Sequence, residues 1–132
     1  MTFLLDTNIC SAHLRGPSGL MHRFVQHSGR LSVPSVVLAE LYTMAYGKAD
    51  PRPVLQQICD LLRDVQLIPF DQASAEEFGR LRNLLRRQGI GVSPVDLMIA
   101  ATALAHDLTL VTHNTSDFQQ IPALRLEDWL AS

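Results

Sequence analysis

Four acidic residues occupy places where an acid must either serve the local backbone or do chemistry. Asp6 ends the apolar run Thr2-Phe3-Leu4-Leu5. Glu40 interrupts Val36-Val-Leu-Ala-Glu-Leu41, and Asp96 sits between Val95 and Leu97-Met-Ile-Ala-Ala101. Asp117 follows the apolar segment Leu108-Thr-Leu-Val-Thr112 after a short polar loop. A carboxylate kept among apolar neighbours is costly unless a cation or strong donors neutralise it. Several such groups converging on one cleft would supply the hard oxygen donors that magnesium or manganese prefers, with waters completing the octahedron. An ion held that way activates water and offsets the charge that builds on a phosphodiester under attack.

Three of the four acids also have a local reading. Asp6 can cap the helix that follows it, and Asp96, three residues beyond Ser93, suits the acidic position of a capping arrangement. Asp117 suits an ordinary loop. Glu40 has no capping role, being a mid-helix acid with apolar residues on both sides. Spacing alone leaves their convergence open.

The elements that must position these groups alternate. Thr2–Leu5 reads as a short buried strand, with a helix over Thr7–Leu14 and another over Pro17–His27, stopped by Gly29. Leu31–Val33 is a second strand, and Val36–Tyr46 a helix closed by Gly47. Pro51 and Pro53 open a helix reaching Asp64, and Gln66–Phe70 is a third strand. Asp71 or Ser74 caps a long helix to Arg87 whose buried stripe is Phe78, Leu81 and Leu85. Gly89 and Gly91 break the chain. Ser93-Pro94 restarts it as a helix to His106, followed by a strand over Leu108–Thr112 and a last short strand over Leu124–Leu126. Strands alternating with helices indicate an α/β fold with a central parallel sheet of four to five short strands flanked by helices. The 132 residues and 47% hydrophobic content suit one domain spanning 1–132. In such sheets ligands bind beyond the carboxyl ends of the strands, where Asp6 and Asp117 are expected.

Four segments, taken in order, resemble the blocks of PIN-domain ribonucleases of the VapC type. They are Leu4-Leu-Asp-Thr-Asn-Ile9, Val36-Val-Leu-Ala-Glu-Leu41, Asp96-Leu-Met-Ile-Ala-Ala101 and Leu108-Thr-Leu-Val-Thr-His-Asn-Thr-Ser-Asp-Phe118. The resemblance implies a metal-dependent endoribonuclease acting as the toxin of a toxin–antitoxin pair. It assigns catalysis and binding of Mg2+, with Mn2+ as a substitute, to Asp6, Glu40, Asp96 and Asp117. Asn8, Thr112 and Asn114 match polar positions around the acids and are expected to support them. The implied partners are an RNA such as a transfer RNA, a small cognate antitoxin and a second copy of the chain. Ser93 departs from the pattern, standing where glycine is expected. Two other readings remain: a PIN fold that binds RNA or protein without cutting, and a phosphoryl-transfer protein using Asp6 as acceptor. The latter would want a second acid beside Asp6 and a lysine near the cleft, and the sole lysine is Lys48.

The remaining composition constrains these readings. A net charge of −2 and a pI near 6.2 lack the basic surplus usual for nucleic-acid binding. Assigning four carboxylates to metal turns that −2 into +2 for the rest of the chain. Arg80, Arg82, Arg86 and Arg87 make the end of one helix basic, either a solvated face or a track for an RNA backbone. The first helices carry Leu14, Leu20, Met21, Phe24 and Val25, more apolar surface than a small sheet needs. By the resemblance this region takes the antitoxin and a second copy of the chain, and a plain core is the other explanation. Cys10 and Cys59, 49 positions apart, are expected to be reduced thiols. No apolar run is long enough for a membrane span or signal peptide, so a cytoplasmic location is expected. His113 lies near Asp117 but has no partner at zinc spacing, and His13, His22, His27 and His106 are read as surface or core residues.

Overall fold

The computed structural model describes residues 2–16 and 19–131. Five strands, β1 (Phe3–Leu5), β2 (Leu31–Pro34), β3 (Gln66–Ile68), β4 (Thr109–Val111) and β5 (Leu126–Glu127), form one sheet in the order β3-β2-β1-β4-β5, every pair parallel. Between them run α1 (Thr7–Leu14), α2 (Met21–Gln26), α3 (Ser35–Tyr46), α4 (Arg52–Asp64), α5 (Gln72–Arg87) and α6 (Pro94–Ala105). The α/β architecture expected from the alternation is the one observed.

Burial explains the strand composition. β1, β2 and β4 are buried along their whole length, so they read as continuous runs rather than alternating ones. Polar residues inside them are satisfied: Ser32 Oγ donates to the Phe3 carbonyl at 2.6 Å. Register sets Leu4 against Ser32 on one side and Leu110 on the other. Helices α1, α3 and α4 pack together, α5 packs along α6, and α3 also meets α6. Phe3, His27 and Trp129 form an aromatic stack near one end of the core.

Most boundaries lie within a residue or two of those expected, and the departures have local causes. The second helix starts at Met21 rather than Pro17, which lies outside the described residues. β3 stops at Ile68 because Pro69 has no N–H to extend the ladder. The last strand is Leu126–Glu127 rather than Leu124–Leu126: Ala123 adopts φ +65°, and pairing to β4 begins at Leu126. Of the two glycines after α5, Gly89 does the turning. Its φ is +70°, its N–H reaches the Arg86 carbonyl, and Ile90 N–H reaches the Leu85 carbonyl at 2.9 Å, the paired bonds that end a helix on a left-handed residue. Gly91 lies outside that region.

The strand order changes direction at β1. The chain steps from β1 outward to β2 and β3, then crosses back to lay β4 on the other side of β1. The carboxyl ends of β1 and β4 therefore flank the switch point, the crevice where this class of sheet offers a binding site. That geometry depends on the central strand. Leu4, fully buried in β1, is expected to cost about 2–5 kcal/mol on Leu4→Ala, read as a lower urea midpoint by circular dichroism. A shift within experimental scatter would mean that β1 is not the centre of the core.

Candidate active site

Asp6 is both cap and site residue. It is the N-cap of α1, with Oδ1 accepting from Thr7 N at 2.7 Å, while Oδ2 accepts from Thr112 Oγ1 at 2.8 Å. Its own N–H bonds the Val111 carbonyl at 2.9 Å, which locks the ends of β1 and β4 together. Thr112 is fully buried, and its hydroxyl also accepts from Asn114 N at 3.1 Å. Asn8 Oδ1 receives the His113 N–H at 3.1 Å, and its amide makes a long 3.5 Å contact to Thr112 Oγ1. The three expected supporting residues are thus linked through the Thr112 hydroxyl, Asn114 by its backbone N–H.

Glu40 arrives from the second turn of α3, half-buried, and its Oε1 accepts from Thr7 Oγ1 at 2.5 Å. Asp96 lies in the first turn of α6, and its N–H donates to Ser93 Oγ at 3.2 Å. Ser93 has φ −60° and acts as the N-cap, so serine fills the place expected for glycine without strain and adds a cap. The local and functional readings of Asp6 and Asp96 are compatible: each caps or opens a helix and faces the same cleft.

Asp6, Glu40 and Asp96 line one open cleft of about 300 Å³ together with Thr7, Asn8, Ser11 and Asn114. Asp117, exposed at the end of a 3-10 turn (Thr115–Asp117), lines an adjoining hollow of about 300 Å³ that shares Asp96. The expected four acids therefore divide as three around one cleft and one beside it, joined through Asp96. Thr7 and Ser11 are site residues the sequence analysis did not single out. Ser11 follows Thr7 by about one turn of α1, a spacing visible in the sequence, whereas the Thr7–Glu40 bond is purely tertiary.

Neither hollow is lined by Lys, Arg or His among the described residues. Lys48 is exposed beyond α3 and offers nothing to a phosphoryl-transfer reading. Burial pushes the Asp6 carboxyl above its ordinary value; the Thr112 and Thr7 bonds oppose this, and the charges of Asp96 and Glu40 add to it. Burial likewise raises Asp96, opposed by Ser93 and reinforced by Asp117 and Glu40. Asp6 and Asp96 are thus each raised by burial and by neighbouring carboxylates of like charge. Among the described residues no three His, Cys, Asp or Glu side chains close into a ready-made metal cage. The donors are all oxygens, carboxylate, hydroxyl and amide, with no thiolate or imidazole. That set suits a hard divalent ion that keeps part of its water shell.

The PIN-domain family matches residues 3–124. The chain belongs to the PIN-domain family. Over 130 residues it is 36% identical to the tRNA(fMet)-specific endonuclease VapC of Shigella flexneri, covering 98% of each chain. It is 33% identical to ribonuclease VapC2 of Haemophilus influenzae over 131 residues, 98% of this chain and 99% of that one. Its fold superimposes on a chain of the crystal structure of DNA-bound VapBC from Salmonella typhimurium with a TM-score of 0.92, at 32% identity and 98% coverage of both. The parallel five-stranded sheet is thus the PIN architecture of its VapC relatives.

His113, set aside as a metal ligand, lies outside the linings of both hollows and pairs with Asp128 at 3.1 Å. Cys10 is buried and Cys59 exposed, and both are free thiols as expected.

The raised carboxyls have a consequence for stability. A carboxyl whose pKa is raised by folding keeps its proton longer in the folded chain, so stability falls as pH rises from the ordinary carboxylate range through the folded value. Asp6→Asn keeps a good helix cap and removes that charge. Without divalent ions the variant is expected to unfold at higher urea than the parent at pH 7, with the gap closing toward pH 4. A less stable variant at pH 7 would show that the Asp6 charge is already compensated.

Proposed function

We propose that this chain is a divalent-metal-dependent endoribonuclease, the toxin of a toxin–antitoxin pair, and that one nuclease domain spans residues 1–132. The observation that carries the reading is the cleft at the β1/β4 switch point, lined by three carboxylates and, among the described residues, by no cation. The names of its full-length relatives support RNA as the substrate and endonucleolytic cutting as the reaction. Asp6, Glu40 and Asp96 hold Mg2+, or Mn2+ in its place, and Asp117 contributes from the adjoining hollow. The chemistry a bound ion supplies is activation of water and relief of the charge building on the scissile phosphate.

The chain's own residues do the positioning. Thr112 and the Thr7 amide fix the two oxygens of Asp6. The Thr7 hydroxyl orients Glu40 from a different helix, so α1 and α3 are coupled at the cleft. Asn8 and Asn114 tie the strand-end loop to Thr112. Ser93 sets the first turn of α6 and with it Asp96. These partners hold each carboxylate without cancelling its charge, leaving that to a cation.

Transfer RNA is the substrate to test first, since two relatives are named for tRNA(fMet). A small antitoxin is the expected protein partner, supported by the toxin–antitoxin complexes among the structural relatives. The surface that suits it is a hollow of about 270 Å³ lined by His13, Met21, Phe24, Val25, Leu31 and Asp64. Leu14, Leu20 and Phe24 are absorbed into the core, whereas Met21 and Val25 remain 52% and 69% exposed. The excess apolar surface of the first helices is therefore only partly core. A second copy of the chain is the other expected partner. No described helix is long and apolar enough to cross a membrane.

Incubating structured RNAs with the purified chain tests the reading. Cutting is expected with Mg2+ or Mn2+ and not in EDTA. It is expected to drop more than about 100-fold in Asp6→Asn and Asp96→Asn, because even residues that only orient ligands are worth 10–100-fold. Cutting that survives both substitutions in well-folded variants would point away from this cleft. Binding without cutting across several RNAs would favour the non-cleaving PIN reading.

A further inference from the structure

A cleft lined by acids repels the polyanion it is to act on, and the chain's net charge of −2 supplies no general attraction. Capture must come from cations placed beside the acids. A further hollow, of about 150 Å³, adjoins the one that holds Asp96 and Asp117: both are lined by Gly91 and Val92. Its other lining includes Arg82 and Arg86 from the last turns of α5. These two arginines are four residues apart and so share one helix face.

Both are available. Arg80, on the same helix, is committed to Glu77 through a doubly hydrogen-bonded pair. Among the described residues neither Arg82 nor Arg86 pairs with a carboxylate. The Arg82 guanidinium lies 5.6 Å from the centroid of the Phe78 ring, a contact that steadies it without neutralising it. The left-handed turn at Gly89 brings the chain back over Leu85, so that Gly91 and Val92 form the saddle between the arginines and the acids.

We propose that Arg82 and Arg86 form a subsite for backbone phosphates of the RNA, flanking the linkage cut at the acid cleft and reached from it across Gly91 and Val92. The subsite rests on the nuclease reading of the cleft. Guanidinium forks suit phosphate oxygens, and a flanking subsite lets binding energy gathered away from the acids hold the scissile linkage against them. Gly91 lies on this path, lining both hollows. A Cβ there meets no heavy atom within 4 Å, and its φ is outside the left-handed region, so a side chain is tolerated by the fold.

Binding of a labelled structured RNA in EDTA, measured by fluorescence anisotropy across a salt series, tests the subsite separately from cutting. The double variant Arg82→Gln/Arg86→Gln is expected to lower the slope of log affinity against log salt by about 1.4 to 1.8, the value for two lost phosphate contacts. With Mg2+ present its loss should fall mainly on KM, by tenfold or more, rather than on kcat. Gly91→Glu, which leaves both arginines in place, should also weaken binding, and Arg80→Gln should match the parent. A parent that binds and cuts RNA, with the double variant and Gly91→Glu showing its slope and KM, overturns the subsite and leaves the nuclease reading standing. Arginine-dependent binding without cutting by the parent upholds the subsite while the hydrolysis reading fails. A parent that binds no RNA overturns both.

Discussion

Like charges held together at the edge of a parallel sheet are the constraint around which this molecule is built. The Asp6 carboxyl is buried at the end of the central strand, and it feels Glu40 and Asp96 as negative charges at its side. Among the described residues nothing basic lines the space between them. Among the described residues the partners of these acids, the Thr112 and Thr7 hydroxyls, the Ser93 cap and the first amide of α1, are neutral dipoles that orient a carboxylate without discharging it. Such partners pull the Asp6 and Asp96 carboxyls down, yet burial and mutual repulsion still leave both raised. The folded chain therefore carries an electrostatic cost that a divalent cation held by these carboxylates would relieve.

Topology is what brings the charges together. Asp6, Glu40, Asp96 and Asp117 are spread over more than a hundred residues, but the reversal of strand order at β1 sets the ends of β1 and β4 side by side. The apolar sheet and the packing of α3 and α6 then deliver the two helical acids to the same edge. The acidic cleft also forces a division of labour on the surface. Groups that would attract a polyanion cannot sit among the acids without neutralising them, so the arginines of α5 stand one hollow away, and apolar Met21 and Val25 face solvent in a separate hollow.

Much of this was legible in the sequence because it is local. Buried strands appear as short apolar runs, Asp71 and Ser93 announce helix starts, and the Asp-Thr-Asn and Thr-His-Asn segments mark strand ends. Glu40 was legible by its misfit in an apolar helix. What escaped detection was tertiary. Thr7 looks like an ordinary first-turn residue until α3 brings Glu40 onto its hydroxyl. The place of Asp117 in a neighbouring hollow depends on a 3-10 turn that no periodicity signals. Ser93 resembled a departure from pattern because the family resemblance and the capping rule suggest different residues there, and the capping rule describes the observed backbone.

Calorimetric titration of the purified chain with Mn2+, in buffers of different ionisation enthalpy, tests the stored charge most directly. The account predicts that Mn2+ binds with release of protons, that the release grows as pH is lowered from 7 toward the carboxylate range because folding raises the Asp6 and Asp96 carboxyls above their ordinary values, and that Asp96→Asn weakens binding and reduces the release. Binding that takes up no part of this proton balance, or that is indifferent to Asp96→Asn, would contradict the claim that these carboxylates are the ion's ligands.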